Sequence, residues 1–279
     1  MSELDRRTML GAAGIGAIAA LAHARAGPIN PPTGPVSPTG RTLQEILNHV
    51  PPPQVGPFRG RISIDGGAGR TISQPGSYVL TGDIAVNGAP AITIRASNVT
   101  LDLNGFAVRR TAPGGGAAVY IDSASRNVTV RNGRIAGFET GVFADNSTAS
   151  LLLEDLLVTG AAIVGMSLQG EYYLVRRCTL LEVGGGTANP YGISIDGDGS
   201  HVDRCTVSRF VGTPAGGHTA IRMVGNGGTI SRCGVTADAP TTGSGLLMSG
   251  QIAYRDNTVV NMNSPYNASN GAGDGGGNV

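Results

Sequence analysis

Lysine is absent: all 20 basic residues of the 279-residue chain are Arg. A Schiff-base lysine, a P-loop lysine and a lysine general base are therefore excluded. Trp is absent too, and aromatic residues make up only 4% and charged residues only 14% of the chain. That composition excludes a charge-driven disordered polymer. The Arg residues are balanced by 19 Asp and Glu to a net charge of +1, so no strong field draws the protein to nucleic acid or to an anionic membrane. Three Cys, an odd number, cannot complete a disulfide framework. What the chain has in plenty is Gly, 45 residues, beside an apolar fraction of 40%. This is more Gly than an ordinary helical enzyme domain carries, with enough apolar side chains to fill a core.

The N-terminal residues Leu4-Asp5-Arg6-Arg7-Thr8-Met9-Leu10 lead into a run of small apolar residues to Ala22, followed by Ala24-Arg25-Ala26. Paired Arg ahead of a short hydrophobic stretch and an A-x-A site resembles a twin-arginine export signal. The run from Met9 is too short to span a bilayer. Residues 1–26 are thus expected to be an export signal that sends the protein to the periplasm or the cell exterior. Asp5 departs from the usual twin-arginine pattern and leaves the general secretory route open. Residues 27–57 read as a Pro-rich linker interrupted by a helix over 42–50, where Thr42 and Glu45 have capping-box spacing and Leu43, Ile46, Leu47 and Val50 share one face.

From there the chain repeats itself. Val99 to Phe106, Val128 to Ile135, Leu151 to Val158, Tyr173 to Leu180, Ser200 to Val207, Gly228 to Val235 and Ile252 to Val259 stack without gaps, with apolar or small residues at places one, three, six and eight. Each reads as two short strands joined by a tight turn. Ahead of each lies another short strand, such as Ile92-Thr93-Ile94, Val119-Tyr120-Ile121 or Ile193-Ser194-Ile195, and from Gly141 onward most of these follow a Gly. The unit recurs every 22 to 29 residues, with a poorer copy around Tyr78 to Val86. Strands that never reach helical length at such a period imply a β-solenoid.

Stacking the repeats turns each place into a column. The sixth place holds Cys178, Cys205 and Cys233 on consecutive rungs, which read as buried free thiols filling space as small hydrophobes. The fourth place runs Asp102, Arg131, Glu154, Arg176, Asp203, Ser231, Arg255. Its alternating signs support the register, because a slipped strand would bring like charges together. At the fifth place Arg177, Arg204 and Arg232 stack, and their acidic neighbours favour a neutralised structural ladder over a polyanion site.

Gly192-Ile193-Ser194-Ile195, Val128-Thr129-Val130-Arg131-Asn132, the opening Ile72 to Ile84 and Asn98 to Phe106 carry a family resemblance. The chain is similar to the right-handed parallel β-helix repeat proteins of the pectate-lyase-like superfamily, in particular exported bacterial members, over about Arg59 to Met262. The resemblance implies an all-β, single-stranded right-handed parallel β-helix of about eight rungs over 58–262, with the short helix capping one end and a Gly-rich flexible tail over 263–279. It also implies where a site lies, since active members work on the outer face of the strand that begins each repeat.

In this sequence that face presents Tyr120 and Phe143, with Asp122, Asp145 and Asp196 at the strand ends and Arg222 and His218 further along. A carbohydrate cleft is one reading. Tyr120 and Phe143 would stack on sugar rings, Asp122, Asp145, Asp196 and Arg222 would supply lyase or hydrolase chemistry, and His218 would join Arg222 in binding an acidic sugar. Two carboxylates on adjacent rungs approach the ~5 Å separation of a retaining glycosidase, and with Asp196 they suggest a weak Ca²⁺ site. In the other reading each Asp accepts backbone N–H bonds in the turn after its strand, as turn Asp residues commonly do. No metal or cofactor motif stands out, and polygalacturonase, calcium-dependent pectate lyase and pectin methylesterase signatures are missing. The expectation is a monomeric exported protein that interacts with a polysaccharide or cell-surface glycan without a clear catalytic signature. A polysaccharide lyase or hydrolase, and a purely structural or adhesive solenoid, are the alternatives.

Overall fold

The computed structural model describes residues 60–112, 115–185, 190–210 and 217–279, without the side chains of 239–242. The expected export signal, Pro-rich linker and capping helix over 42–50 lie outside these residues. Every regular element described is a β-strand, and the strands wind into a parallel β-solenoid of about eight turns. No described helix is long and apolar enough to cross a membrane.

Three parallel ladders run the length of the solenoid. The first joins Arg70–Ile72, Ile92–Ile94, Ala117–Ile121, the start of Thr140–Thr159, Val164–Glu171, Tyr191–Asp196, His218–Val224 and the end of Gly234–Ser249. The second runs from Ile62–Ile64 through Gly76–Leu80, Val99–Asp102, Leu174–Arg176, His201–Asp203 and Gly228–Ser231 to Ile252–Arg255. The third starts at Ile84–Val86 and passes through Ala107–Arg110, Thr179–Leu181 and Thr206–Ser208 to Thr258–Ser269. The long strands Arg126–Ala136, Thr140–Thr159, Gly234–Ser249 and Thr258–Ser269 bend round corners and serve more than one ladder.

Alternation dictates what fills the interior. In a strand successive side chains point to opposite faces, so Ile193 and Ile195 are buried while Ser194 between them looks outward. The same holds one rung away for Met166 and Leu168 around Ser167. The result is one continuous core in which Val128, Leu151, Tyr173 and Ile252 occupy one column and Val158, Leu180 and Val207 another. Cys178, Cys205 and Cys233 are fully buried and free, as expected of inward-facing thiols.

The corners explain the composition. From Arg126–Ala136 onward each turn between the second and third ladders places one residue in the left-handed region: Asn132 (φ 57°), Asp155 (53°), Arg177 (53°), Arg204 (52°), Arg232 (55°) and Asp256 (55°). Asn and Asp accept this conformation readily, whereas Arg has no such advantage. Arg177 bonds Asp155 and Glu154, and Arg232 bonds Asp203, so each is held by carboxylates of neighbouring rungs. Where the third ladder turns into the first, the limit is space. A Cβ at Gly192 would meet the Ala220 carbonyl oxygen and come within 2.7 Å of Val207 Cγ1.

The polar column at the fourth place is realised as ion pairs. Asp102 binds Arg61 at 2.7 Å and Arg131 at 3.3 Å, and Glu154 binds Arg176 at 2.6 Å and Arg177 at 3.0 Å. Burial pushes the Asp102 carboxyl up, but the Arg61 guanidinium and hydrogen bonds from the Asn104 backbone and the Asn132 side chain outweigh it, and the net shift is downward.

Two boundaries differ from the sequence expectation. The first repeat does not stack without a gap, because Val108, not Phe106, pairs with Ile135. Its turn is two residues longer, and Asn104 and Gly105 there both have positive φ (52° and 79°). Leu103, rather than Asn104, faces the position that Gly133 leaves empty. The solenoid also does not end at Met262. Thr258–Ser269 rounds a further corner to pair with Gly234–Ser249, and Gly273–Asp274 pairs with the second ladder. Residues 263–279, expected as a flexible tail, are thus built into the last turn. The reason is local: Tyr266 stacks on Tyr254 with ring centroids 5.7 Å apart, and its single hydroxyl proton is shared between the Asn257 and Val279 carbonyls.

Candidate functional site

The first ladder builds the expected face. Thr93, Tyr120, Phe143, Ser167, Ser194, Arg222 and Leu247 fall in one register, each opposite the next. The Tyr120 and Phe143 rings lie nearly coplanar in orientation, 3° apart with centroids at 5.6 Å. Adjacent rungs are ~4.8 Å apart, so consecutive aromatic residues at one strand place are bound to stack.

The carboxylates are engaged. Asp145 accepts the Tyr120 hydroxyl proton at 2.8 Å through Oδ2 and the Asn146 N–H at 2.7 Å through Oδ1. Asp122 pairs with Arg95 at 3.2 Å through Oδ2 and accepts the Ser123 N–H at 3.0 Å through Oδ1. The turn role weighed from sequence is therefore the role each Asp plays locally, with a cross-rung partner on the other oxygen. The hydrogen bond to Asp145, with burial added, pushes the Tyr120 phenol up to about 12. At neutral pH it is a donor and not a base.

Arg222 forms a second cluster. Its Nη1 bonds Asp196 Oδ2 at 2.6 Å and Ser194 Oγ at 3.1 Å, and the guanidinium carbon lies 6.0 Å from the Tyr191 ring centroid. Three rungs separate it from Phe143, about 14 Å at the ladder spacing. Six of the seven candidates thus fall in two clusters on one sheet, Tyr120, Phe143, Asp122 and Asp145 in one and Asp196 and Arg222 in the other, and His218 lies apart from both. Tyr191 was missed from sequence because it starts its strand two residues before the repeating triplet, and Arg95 because its partner sits on the next rung.

Two expectations need correction. His218 is 3% exposed and packs against Phe210 with ring centroids 6.0 Å apart. Burial pulls its pKa down, so it offers neither an exposed surface nor a cation to an acidic sugar. A calcium site made from Asp122, Asp145 and Asp196 also fails on spacing, since Gln169 occupies the rung between Asp145 and Asp196. Among the described residues no group of three or more His, Cys, Asp or Glu side chains is placed to hold a metal ion.

No family model, no curated protein and no solved structure matches the chain.

Proposed function

We propose that the protein is an exported, right-handed member of the pectate-lyase-like β-helix proteins that binds polysaccharide on the outer face of its first ladder. The right-handed sense rests on the strong preference of parallel strand crossovers for that hand. Export rests on Arg6-Arg7 and the small-residue run that follows.

The observation that carries the binding reading is the parallel Tyr120 and Phe143 pair on a sheet face. Stacked on each other, the two rings present a shared apolar edge and one outer face each, beside the small Thr93 and Ser167, for sugar rings to pack against, while the Tyr120 hydroxyl and the Asp122 and Asp145 carboxylates supply polar contacts at its edge. Both oxygens of each carboxylate already have partners, which suits a fixed recognition edge better than proton transfer.

Affinity electrophoresis through gels containing neutral and acidic polysaccharides tests the reading. Wild type should be retarded by at least one polymer, and Tyr120→Ala with Phe143→Ala should migrate as in the polymer-free gel. Retardation that survives the double substitution, or a wild type retarded by none of the polymers, would overturn it. The second outcome leaves the structural or adhesive solenoid as the better account.

The hydrolase or lyase reading draws on one observation, that Asp122 and Asp145 stand on adjacent rungs, close to the ~5 Å that a retaining glycosidase needs. Depolymerisation by wild type that is lost in Asp145→Asn would favour it, and activity unchanged in that variant would remove the assignment.

A further inference from the structure

The buried thiols have no part in the surface site, and their geometry is unusually regular. Cys178 Sγ contacts the carbonyl oxygens of Leu153 at 3.7 Å and Arg176 at 3.4 Å. Cys205 Sγ contacts those of Val175 at 3.6 Å and Asp203 at 3.5 Å, and Cys233 Sγ those of Val202 at 3.9 Å and Ser231 at 3.3 Å. The partners are equivalent on every rung, so all three side chains adopt one rotamer and their sulfurs stack along the solenoid axis at the rung spacing of ~4.8 Å. Leu156 closes the column below and Asn257 above, where the Asn257 side-chain Oδ1 accepts the Cys233 N–H and its Nδ2 donates to the Ile230 carbonyl.

That spacing matches a chemical length. Two metal–sulfur bonds of ~2.3 Å laid end to end span ~4.6 Å, so an ion between sulfurs on adjacent rungs would meet both at bonding distance. Hard cations want oxygen donors, and tetrahedral zinc wants four ligands, neither of which the column offers. A soft ion with two collinear ligands fits.

We propose that the Cys178, Cys205 and Cys233 column is a binding site for one soft divalent cation, with mercuric ion as its probe, held between Cys205 and one of its two neighbours. On binding, each of the two thiols loses its proton to solvent and forms one S–Hg bond, with no change of oxidation state. Two thiolates balance the dication, so the bound unit is neutral, which a dry apolar core requires. Entry uses the local openings that any folded chain undergoes.

The middle residue makes the test decisive. Wild type, Cys178→Ala, Cys233→Ala and Cys205→Ala, each checked for native circular dichroism, are given one equivalent of mercuric ion with excess 2-mercaptoethanol and examined by native mass spectrometry. Wild type and both end variants keep one adjacent pair and should retain one ion. Cys205→Ala keeps two thiols that are two rungs apart, and should retain the ion roughly 100-fold less well or worse, the loss expected when two linked donors become independent. Equal retention by Cys205→Ala and the end variants, or loss of the ion from wild type to the competitor, overturns the proposal. Should Cys205→Ala not fold, X-ray absorption on loaded wild type decides: two sulfur neighbours support the site and a single one overturns it.

Discussion

At the scale of single residues, the glycines that precede the first-ladder strands are set by steric space. Gly192 lies where the third ladder turns into the first, and an added Cβ would run into the Ala220 carbonyl oxygen and Val207. Backbone on one side and a β-branched core side chain on the other leave little room to yield. Gly192→Ala should lower unfolding free energy by about 1–3 kcal/mol, the usual cost of overpacking a core, as measured by urea denaturation. An unchanged midpoint would show that the corner relaxes freely. The same position holds Ala220 one rung later, so small size, and not left-handed backbone, is what the place demands. Sequence reading located these residues without their reason, since a Gly before most of these strand triplets from Gly141 onward is visible in the chain but the Val207 methyls behind Gly192 are not.

At the scale of elements, the ion ladder makes the second sheet sensitive to acid. Burial pushes the Asp203 carboxyl up, yet Arg232 and Ser231 outweigh it and hold it below the ordinary carboxylate range. Asp102 behaves alike, and Arg177 lowers Asp155. Each folded-state pKa thus lies below its unfolded counterpart. Their contribution is complete above the unfolded value of about 4 and is lost as pH falls through the folded ones. The urea midpoint should therefore hold from pH 7 to about pH 5 and then fall, and Asp203→Asn should be less stable at pH 7 but less steep in acid. Equal acid slopes in wild type and variant would show that the column contributes nothing to the transition. The alternation of Asp102, Arg131, Glu154 and Arg176 was readable as a register device because parallel stacking makes sequence period and spatial neighbour the same thing. The first repeat escaped this logic after Asp102, where Asn104-Gly105 lengthens the turn. An inserted Asn-Gly looks in sequence like the ordinary Asn-Gly at Asn132-Gly133. The surface site was legible to the same depth: Tyr120 beside Phe143 follows from the period, whereas the Tyr120 bond to Asp145 and the burial of His218 under Phe210 depend on rotamers and a loop residue that no period encodes.

At the scale of the whole solenoid, each turn touches only its neighbours, so stability is a chain of nearest-neighbour terms and an end can open without the middle. The last turn is held mostly by polar pairing, with Met262 in the core, Val259 and Ala272 packed against it and one aromatic contact, because Thr258–Ser269 presents mostly exposed side chains. Tyr266 supplies that contact: it stacks on Tyr254 and ties the Asn257 and Val279 carbonyls together through its hydroxyl. Val279 in turn pairs its own N–H with the Asn257 carbonyl and accepts the Val259 N–H. Tyr266→Ala removes the stack and both hydroxyl bonds at once, while Tyr266→Phe removes only the bonds. Hydrogen exchange should show faster amides over Ile252–Arg255 and Thr258–Ser269 in Tyr266→Ala, an intermediate effect in Tyr266→Phe, and no change over Arg126–Ala136, several rungs away. Faster exchange spreading evenly to Arg126–Ala136 would mean that the solenoid opens as one cooperative unit, and the nearest-neighbour description of this fold would have to be given up. Confinement to the last turns would make the Gly-rich C-terminal residues a closure of the open strand edge, which unpaired would template association with another chain.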